Sequence, residues 1–223
     1  MAIKIIITED GSHSLFDDEL DETYHSTRGA LGESQHVFIK EGLEYHSKAH
    51  KGSTLDILEV GLGTGLNAFL TLNYSEEHQV KTSFTSLEPF PIEKEIWENL
   101  NYYQSEKEKV ILQKIHEANW EREVEISSQF RLKKTIARLE LFNTSKLFHL
   151  IYFDAFAPSK QAEVWSLENL QKCFSLLNTN GILVTYCAQG QFKRNLAEVG
   201  FEVETLQGAM GKKEMVRATK VST

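Results

Sequence analysis

The chain has 223 residues, 41% of them hydrophobic and 25% charged, enough to bury one substantial core in a single domain. No apolar run approaches the roughly 18 residues of a membrane span. The start, MAIKIIITEDGSHS, holds only a short apolar patch, too brief for a secretory segment, so a soluble, cytoplasmic protein with no membrane partner is expected. The formal charge of -8 argues against a broad polyanion-binding surface and leaves local basic patches as the means of meeting phosphate.

No repeat divides the chain, but residues 1–50 differ in character from residues 51–223. IKIIITEDGSHSLF reads as a hairpin turning at Asp10-Gly11. The His- and acid-rich DELDETYHSTRGALGESQHVF follows, so the first 50 residues are expected to be an extension lying near substrate and cofactor. From Leu55 onward short apolar strands alternate with helical stretches, the pattern of a mostly parallel sheet covered on both faces. Strands are predicted at Leu55–Val60, Lys81–Leu87, Phe130–Ile136, Leu147–Phe153, Ile182–Cys187, Phe201–Thr205 and Glu214–Thr219. Pro91 is read as lying in the first turn of a helix. Glu163–Leu177 puts Val164, Leu167, Leu170, Phe174 and Leu177 on one helical face, and Gly200 ends a helix from about Phe192 to Val199. The short LQGAMGKK connection makes the last two strands antiparallel. The expected architecture is α/β, a seven-stranded, mostly parallel, Rossmann-like sheet with an antiparallel terminal strand and an N-terminal hairpin.

ILEVGLGTGLNAF carries an apolar strand into Gly61, Gly63 and Gly65 and then into a helix. A dinucleotide fingerprint needs a further glycine where Leu66 stands. The loop therefore bends tightly without enclosing a diphosphate and leaves room for an amino acid moiety. S-adenosyl-L-methionine is the expected cofactor, with Glu59, Thr64 and Asn67 counted beside the three glycines in its site. Glu88, in SFTSLEPFP, ends the second strand where a carboxylate can accept both ribose hydroxyls, although a solvated strand end is an equal reading. Strand, loop, helix, strand and acid in series point to the class I S-adenosylmethionine-dependent methyltransferase fold.

HLIYFDAFAPSK puts Asp154 at the end of a buried strand facing the same crevice. Such an aspartate can simply cap the next turn. The functional reading is that methyl transfer is chiefly alignment, and that an amine acceptor must lose a proton that a carboxylate can take. Asp154 suits that part, next to the cofactor, with Phe156 and Pro158 shaping the wall. DAFAP is similar to the acid-or-amide, Pro-Pro-aromatic loop of amine methyltransferases.

Together with YHSTRGALGESQHVF, SLEPFP, YFDAFAPSKQAEVW, GILVTYCAQGQFKRNLAEVGF and GKKEMVRA, these stretches resemble the methyltransferase domain of the bacterial MnmC/MnmD family over nearly the whole chain. That family modifies the tRNA wobble uridine. The resemblance implies methylation of the 5-aminomethyl nitrogen of (2-thio)uridine by S-adenosyl-L-methionine, with a tRNA anticodon arm as substrate and a separate oxidase acting upstream. It implies that Gly61–Gly65 and Glu88 bind the cofactor, that Asp154 faces the amine, and that Tyr24, Ser26, Glu33 and Ser34 lie close by. Lys160, Lys212 and Lys213 are the expected substrate-side cations. No flavin is expected, because no second nucleotide-binding strand-loop-helix unit follows Gly65. The chain departs from the family at LKKTIARLELF, where an acid commonly meets the adenine and where Thr135 or a backbone carbonyl must substitute. A methyl- or aminopropyltransferase for a small amine, and a non-catalytic cofactor- or RNA-binding module, stay open as alternatives.

Cys173 and Cys187 read as buried reduced thiols. The histidines, His13, His25, His36, His46 and His50 among them, lack a convincing ligand set and are expected in surface or local polar roles, with no metal. Arg131, Lys133 and Lys134, and the group Lys193, Arg194, Lys212, Lys213 and Arg217, read as solvated strand faces or as phosphate contacts. Trp97, Trp120 and Trp165 lie in helix-like amphipathic patterns and are expected in core packing rather than base stacking.

Overall fold

The computed structural model describes residues 3–49 and 54–221, so His50 lies outside the described residues. Strands β1 (Ile3–Ile7), β2 (His13–Asp17) and β3 (Glu22–Thr23) form a small antiparallel sheet. The expected hairpin is β1 and β2, paired from Ile3↔Asp17 to Ile7↔His13, and Gly11 at its turn has φ +83°. Helix α1 (Ala30–Ser34) runs through a π-helical stretch (Gln35–Glu44) into α2 (Tyr45–Ala49). The wide middle turns put Val37, Phe38, Ile39 and Leu43 into the core against the main sheet, where the Phe38 and Tyr152 rings lie 5.2 Å apart.

The main sheet contains β4 (Leu55–Val60), β5 (Thr82–Leu87), β6 (Glu123–Ser127), β7 (Phe130–Thr135), β8 (Phe148–Phe153), β9 (Leu177–Thr185), β10 (Phe201–Gln207) and β11 (Glu214–Lys220). Their order is β10-β11-β9-β8-β4-β5-β7-β6, with β7, β5, β4, β8 and β9 parallel and β11 antiparallel to both its neighbours. Each of the seven predicted strands is present, and β6 is an eighth, an antiparallel edge strand on β7.

Both faces of this sheet are covered, which explains the apolar strands. Ile57, Phe84, Leu150, Tyr152 and Val184 point into a core shared with α3 (Leu66–His78) and the π-helical stretch. Leu58, Val60, Leu87, Ile151, Phe153 and Leu183 point into a second core under α6 (Leu167–Leu176) and α7 (Gly190–Val199). Ser166 caps α6 by accepting the Asn169 N–H, and Gly200 ends α7 at φ +112°. Between them, α4 (Lys94–Trp97) and α5 (Glu106–Glu117) complete the first layer.

Several readings change: the helix expected over Glu163–Leu177 spans only Leu167–Leu176, with Leu177 opening β9, and Arg217 is buried, paired with Glu204 and Glu41 rather than solvated. Pro91 lies in extended chain three residues ahead of α4, whose N-cap is Glu93. Trp120 and Trp165 lie outside the helices; Trp120 bridges to Lys134, and Trp165 packs edge-on against Phe153 and Phe192. Lys134 is no solvated strand residue. It is 1% exposed, donates to the His116 carbonyl at 2.5 Å, and holds its ammonium 4.6 Å from the centre of the Trp120 ring.

Parallel registers align Val60 with Leu87 and with Phe153. The next residue on each strand, Gly61, Glu88 and Asp154, therefore leaves the sheet at one carboxyl edge. The order turns here: β5 lies on one side of β4 and β8 on the other, the topological switch point where ligands bind in such sheets.

Gly61 has φ +95°, and a Cβ there would stand 2.5 Å from the Asp154 carbonyl oxygen, so Gly61→Ala should lose about 3 kcal/mol in urea unfolding. An unchanged unfolding midpoint would show that the loop tolerates a side chain. Burial pulls the Lys134 ammonium from its ordinary 10.5 down to about 8. The folded state is thus penalised below about pH 8, and the penalty fades towards pH 10.5 as the unfolded chain also loses its proton. The melting temperature of Lys134→Met relative to the parent should fall as pH rises through that window, whereas a constant offset would mean an ordinary lysine.

Candidate active site

A crevice of about 730 Å³ opens at this edge, within the range of about 300–1,000 Å³ usual for small-molecule sites. Its floor is the glycine loop. Gly61 donates to Leu87 O at 3.0 Å, and Gly65 donates to Leu62 O at 2.8 Å in a left-handed conformation at the head of α3. Such turns at 61, 63 and 65 suit glycine and keep side chains out of the hollow.

Glu88 is held by the loop it serves. Its Oε2 accepts the Gly63 N–H and its Oε1 the Phe90 N–H, each at 2.9 Å. Burial raises its pKa, while those backbone donors oppose the rise. Each oxygen keeps a lone pair for a ligand hydroxyl.

Asp154 stands opposite. Its backbone N–H donates to Val60 O at 3.0 Å, and its Oδ2 accepts Asn67 Nδ2 at 2.8 Å. Burial and the nearby Glu33 charge push its carboxyl up to about 7, against the pull of Asn67 and Lys212. Glu33 is itself engaged, accepting the Ser26 N–H at 2.8 Å and the Lys212 ammonium. Lys212 lies 4.6 Å from the centre of the Tyr186 ring, and the Tyr186 hydroxyl donates to Ala155 O at 2.8 Å.

The N-terminal segment forms the far wall. The Tyr24 ring meets Phe156 edge-on at 4.9 Å and lies over Gly63. His25 Nε2 and Thr64 Oγ1 are 2.9 Å apart, and burial drops the imidazole to about 4, so it is neutral. Lys160 pairs with Asp21 across the mouth at 3.7 Å.

Tyr24, Ser26, Glu33, Gly61, Gly63, Thr64, Glu88, Asp154, Phe156, Lys160 and Lys212 thus line one crevice. Glu59 and Asn67 lie beneath it, and Gly65 sits at the α3 N-terminus. Pro158, Ser34 and Lys213 are not brought to the lining. Thr135 is also held away: register aligns it with Leu87 rather than Glu88, its hydroxyl is buried without a partner, and its carbonyl accepts from Glu88 and Ala137. Ala137, Arg138 and Leu139 reach the crevice instead. Sequence reasoning missed Tyr186 and assigned His25 only a local polar role; the stretch YHST beside a charged turn was the available signal for the histidine. Cys173 and Cys187 are free and buried, and among the described residues no His, Cys, Asp and Glu group is built to hold a metal. Among those residues, too, no helix is long and apolar enough to cross a membrane.

Residues 94–221, more than half of the chain, match the model of a family described as S-adenosyl-L-methionine-dependent methyltransferase. The tRNA 5-methylaminomethyl-2-thiouridine biosynthesis bifunctional protein MnmC of Burkholderia thailandensis is 26% identical over 234 residues, covering 95% of this chain and 34% of that protein. The protein of the same name from Burkholderia pseudomallei is 28% identical over equal shares. The chain thus spans about a third of the length of the curated relatives it matches. The crystal structure of MNMC2 from Aquifex Aeolicus superposes with a TM-score of 0.82 at 23% identity, over 100% of this chain and 71% of that one, and so shares its fold. With its sheet order, glycine-lined crevice and family match in agreement, the chain belongs to the S-adenosyl-L-methionine-dependent methyltransferase family.

Proposed function

We propose that the chain methylates the 5-aminomethyl nitrogen of a (2-thio)uridine at the tRNA wobble position. The observation that carries this reading is Asp154, a carboxyl tuned to about 7 at the switch point and facing the crevice beside the glycine loop. Similarity over 95% of the chain to proteins named for 5-methylaminomethyl-2-thiouridine biosynthesis supports the acceptor.

The residues present fit the cofactor. A half-buried Glu88 with free lone pairs suits two ribose hydroxyls, and the hollow beside Gly61 and Gly63 is one that a Cβ would fill. S-adenosyl-L-methionine, when bound, supplies an electrophilic methyl group. The backbone at 137–139, with Leu87 and Phe90, offers the adenine its wall.

An alkylammonium acceptor must lose one proton to expose its lone pair, and Asp154 is the group suited to take it. Around the glycine loop, Glu33 is engaged by Lys212 and Ser26, Glu88 by two backbone N–H groups, and His25 by Thr64 at a pKa too low for a base. Tyr24 and Phe156 give an apolar edge against which a pyrimidine can lie, while Lys160, Lys212 and Arg138 supply local positive charge for a phosphate.

A second reading rests on charge. Asp17, Glu19, Asp21 and Glu22 line the crevice and the net charge is -8, which suits a small cationic amine. Methyl transfer to undermodified tRNA, followed by mass spectrometry of its nucleosides, against transfer to polyamines, separates the two. The tRNA reading expects loss of the aminomethyl nucleoside and gain of its methylated form. Asp154→Ala should lower the transfer rate by about 10²–10⁴-fold while calorimetric cofactor binding persists. Activity should rise with pH through about 7 as Asp154 ionises, and turnover indifferent to either change would remove Asp154 from the reaction.

A further inference from the structure

The glycine loop is held from behind by a histidine that is not part of the crevice lining. His116, in the last turn of α5, brings its Nε2 to 3.0 Å from the Thr64 carbonyl oxygen. A carbonyl can only accept, so Nε2 is the nitrogen that carries the proton. Burial and the neighbouring Lys134 cation drop this imidazole to about 4, so at neutral pH the ring has one proton to give.

Three further features aim that ring. It lies parallel to the Trp97 indole, the planes 2° apart and the centroids at 4.9 Å, which sets its tilt. Its backbone carbonyl stands in a last turn, where helix carbonyls have no intrahelical donor, and accepts the buried Lys134 ammonium at 2.5 Å, fixing where α5 ends. A Cβ on Gly65 would come within 3.1 Å of Nε2, so the missing side chain at 65 is what lets the ring reach the loop.

The peptide between Thr64 and Gly65 is the one most in need of such a hold. Gly65 has φ +73°, and a glycine moves between left- and right-handed turns at little cost. The plane of that peptide is pinned at both ends: its N–H donates to Leu62 O at 2.8 Å, and its carbonyl accepts His116. Rotating it breaks both bonds. On the same residue the Thr64 hydroxyl meets His25, so α5 holds the backbone while the N-terminal segment holds the side chain. We infer that His116 is a positioning residue for the cofactor: by fixing the 64–65 peptide it keeps the loop from Gly61 to Gly65 in the shape that receives S-adenosyl-L-methionine before the cofactor arrives. A loop already in its bound shape loses less freedom on binding, and affinity gains by that amount. The inference rests on the reading of this loop as the cofactor's seat and holds whichever acceptor is methylated.

Calorimetric titration of the whole protein with S-adenosyl-L-methionine tests this without any acceptor. His116→Phe keeps a ring on Trp97 and loses the donor, whereas His116→Gln loses the ring and keeps an N–H at a similar reach. The dissociation constant should rise about tenfold in His116→Phe and stay within about threefold of the parent in His116→Gln. If the ring acts by packing alone, the order reverses. That reversal, or equal affinities in the two variants, overturns the inference. Proton–nitrogen correlation spectra of the cofactor-free parent serve where a variant fails to fold: the His116 ring should be the Nε2–H form at neutral pH, and an Nδ1–H ring overturns the inference. A parent that binds no S-adenosyl-L-methionine defeats the reading of the loop and the inference with it, whereas the wrong order among variants of a binding parent defeats the inference alone.

Discussion

The site depends on how closely β4 and β8 stay paired up to the point where both chains leave the sheet. Asp154 donates to Val60 O, and its own carbonyl oxygen occupies the space where any Cβ on residue 61 would project. A side chain there forces the two strand ends apart. Without one, four neighbouring strands remain in register to their last residues, Gly61 donates onward to Leu87, and Glu88 to Thr135. One glycine therefore sets the spacing between the glycine loop and Asp154 across the floor of the crevice.

Four carboxyls crowd this small volume, and the fold treats each differently. Glu33 is neutralised by Lys212 and a backbone N–H, and Glu88 by backbone N–H groups on both oxygens. Glu59 has a serine hydroxyl on one oxygen and complete burial. Asp154 has a single amide donor and an open side. Desolvation without full compensation is what raises a carboxyl, and it raises both Glu59 and Asp154; Glu59 is sealed beneath the crevice, whereas Asp154, pushed up to about 7, lines it.

The parallel strands were legible because burial on both faces leaves nearly continuous apolar runs, and the acids that end β5 and β8 stood out against them. The edge strand β6 was not, because EVEIS alternates glutamates with half-buried Val124 and Ile126 and turns at Ser128 and Gln129 without glycine or asparagine. Lys134 looked like part of a basic face because composition cannot say that its strand neighbours β6 on one side and β5 on the other, with Trp120 over its ammonium. Thr135 failed for a simpler reason: one residue along a strand reverses the face, so a hydroxyl aligned with Leu87 cannot share the side that Glu88 occupies.

The N-terminal segment was the least legible part, and its placement explains why. Its site residues belong to no periodic element; Tyr24, His25 and Ser26 follow a two-residue strand and are held by long-range contacts. His25 reaches Thr64 across 39 positions, and the Tyr24 ring lies on Gly63, where a Cβ would come within 3.1 Å of it. The smallness of Gly63 is thus set from outside the loop as well as by its own backbone, since a side chain there pushes away the ring that, with Phe156, closes the crevice. The glycine loop and the segment over it consequently form one wall whose two halves require each other. That coupling builds one side of the crevice from residues 17–33, at the opposite end of the chain from the hairpin that brings Lys212 to Glu33.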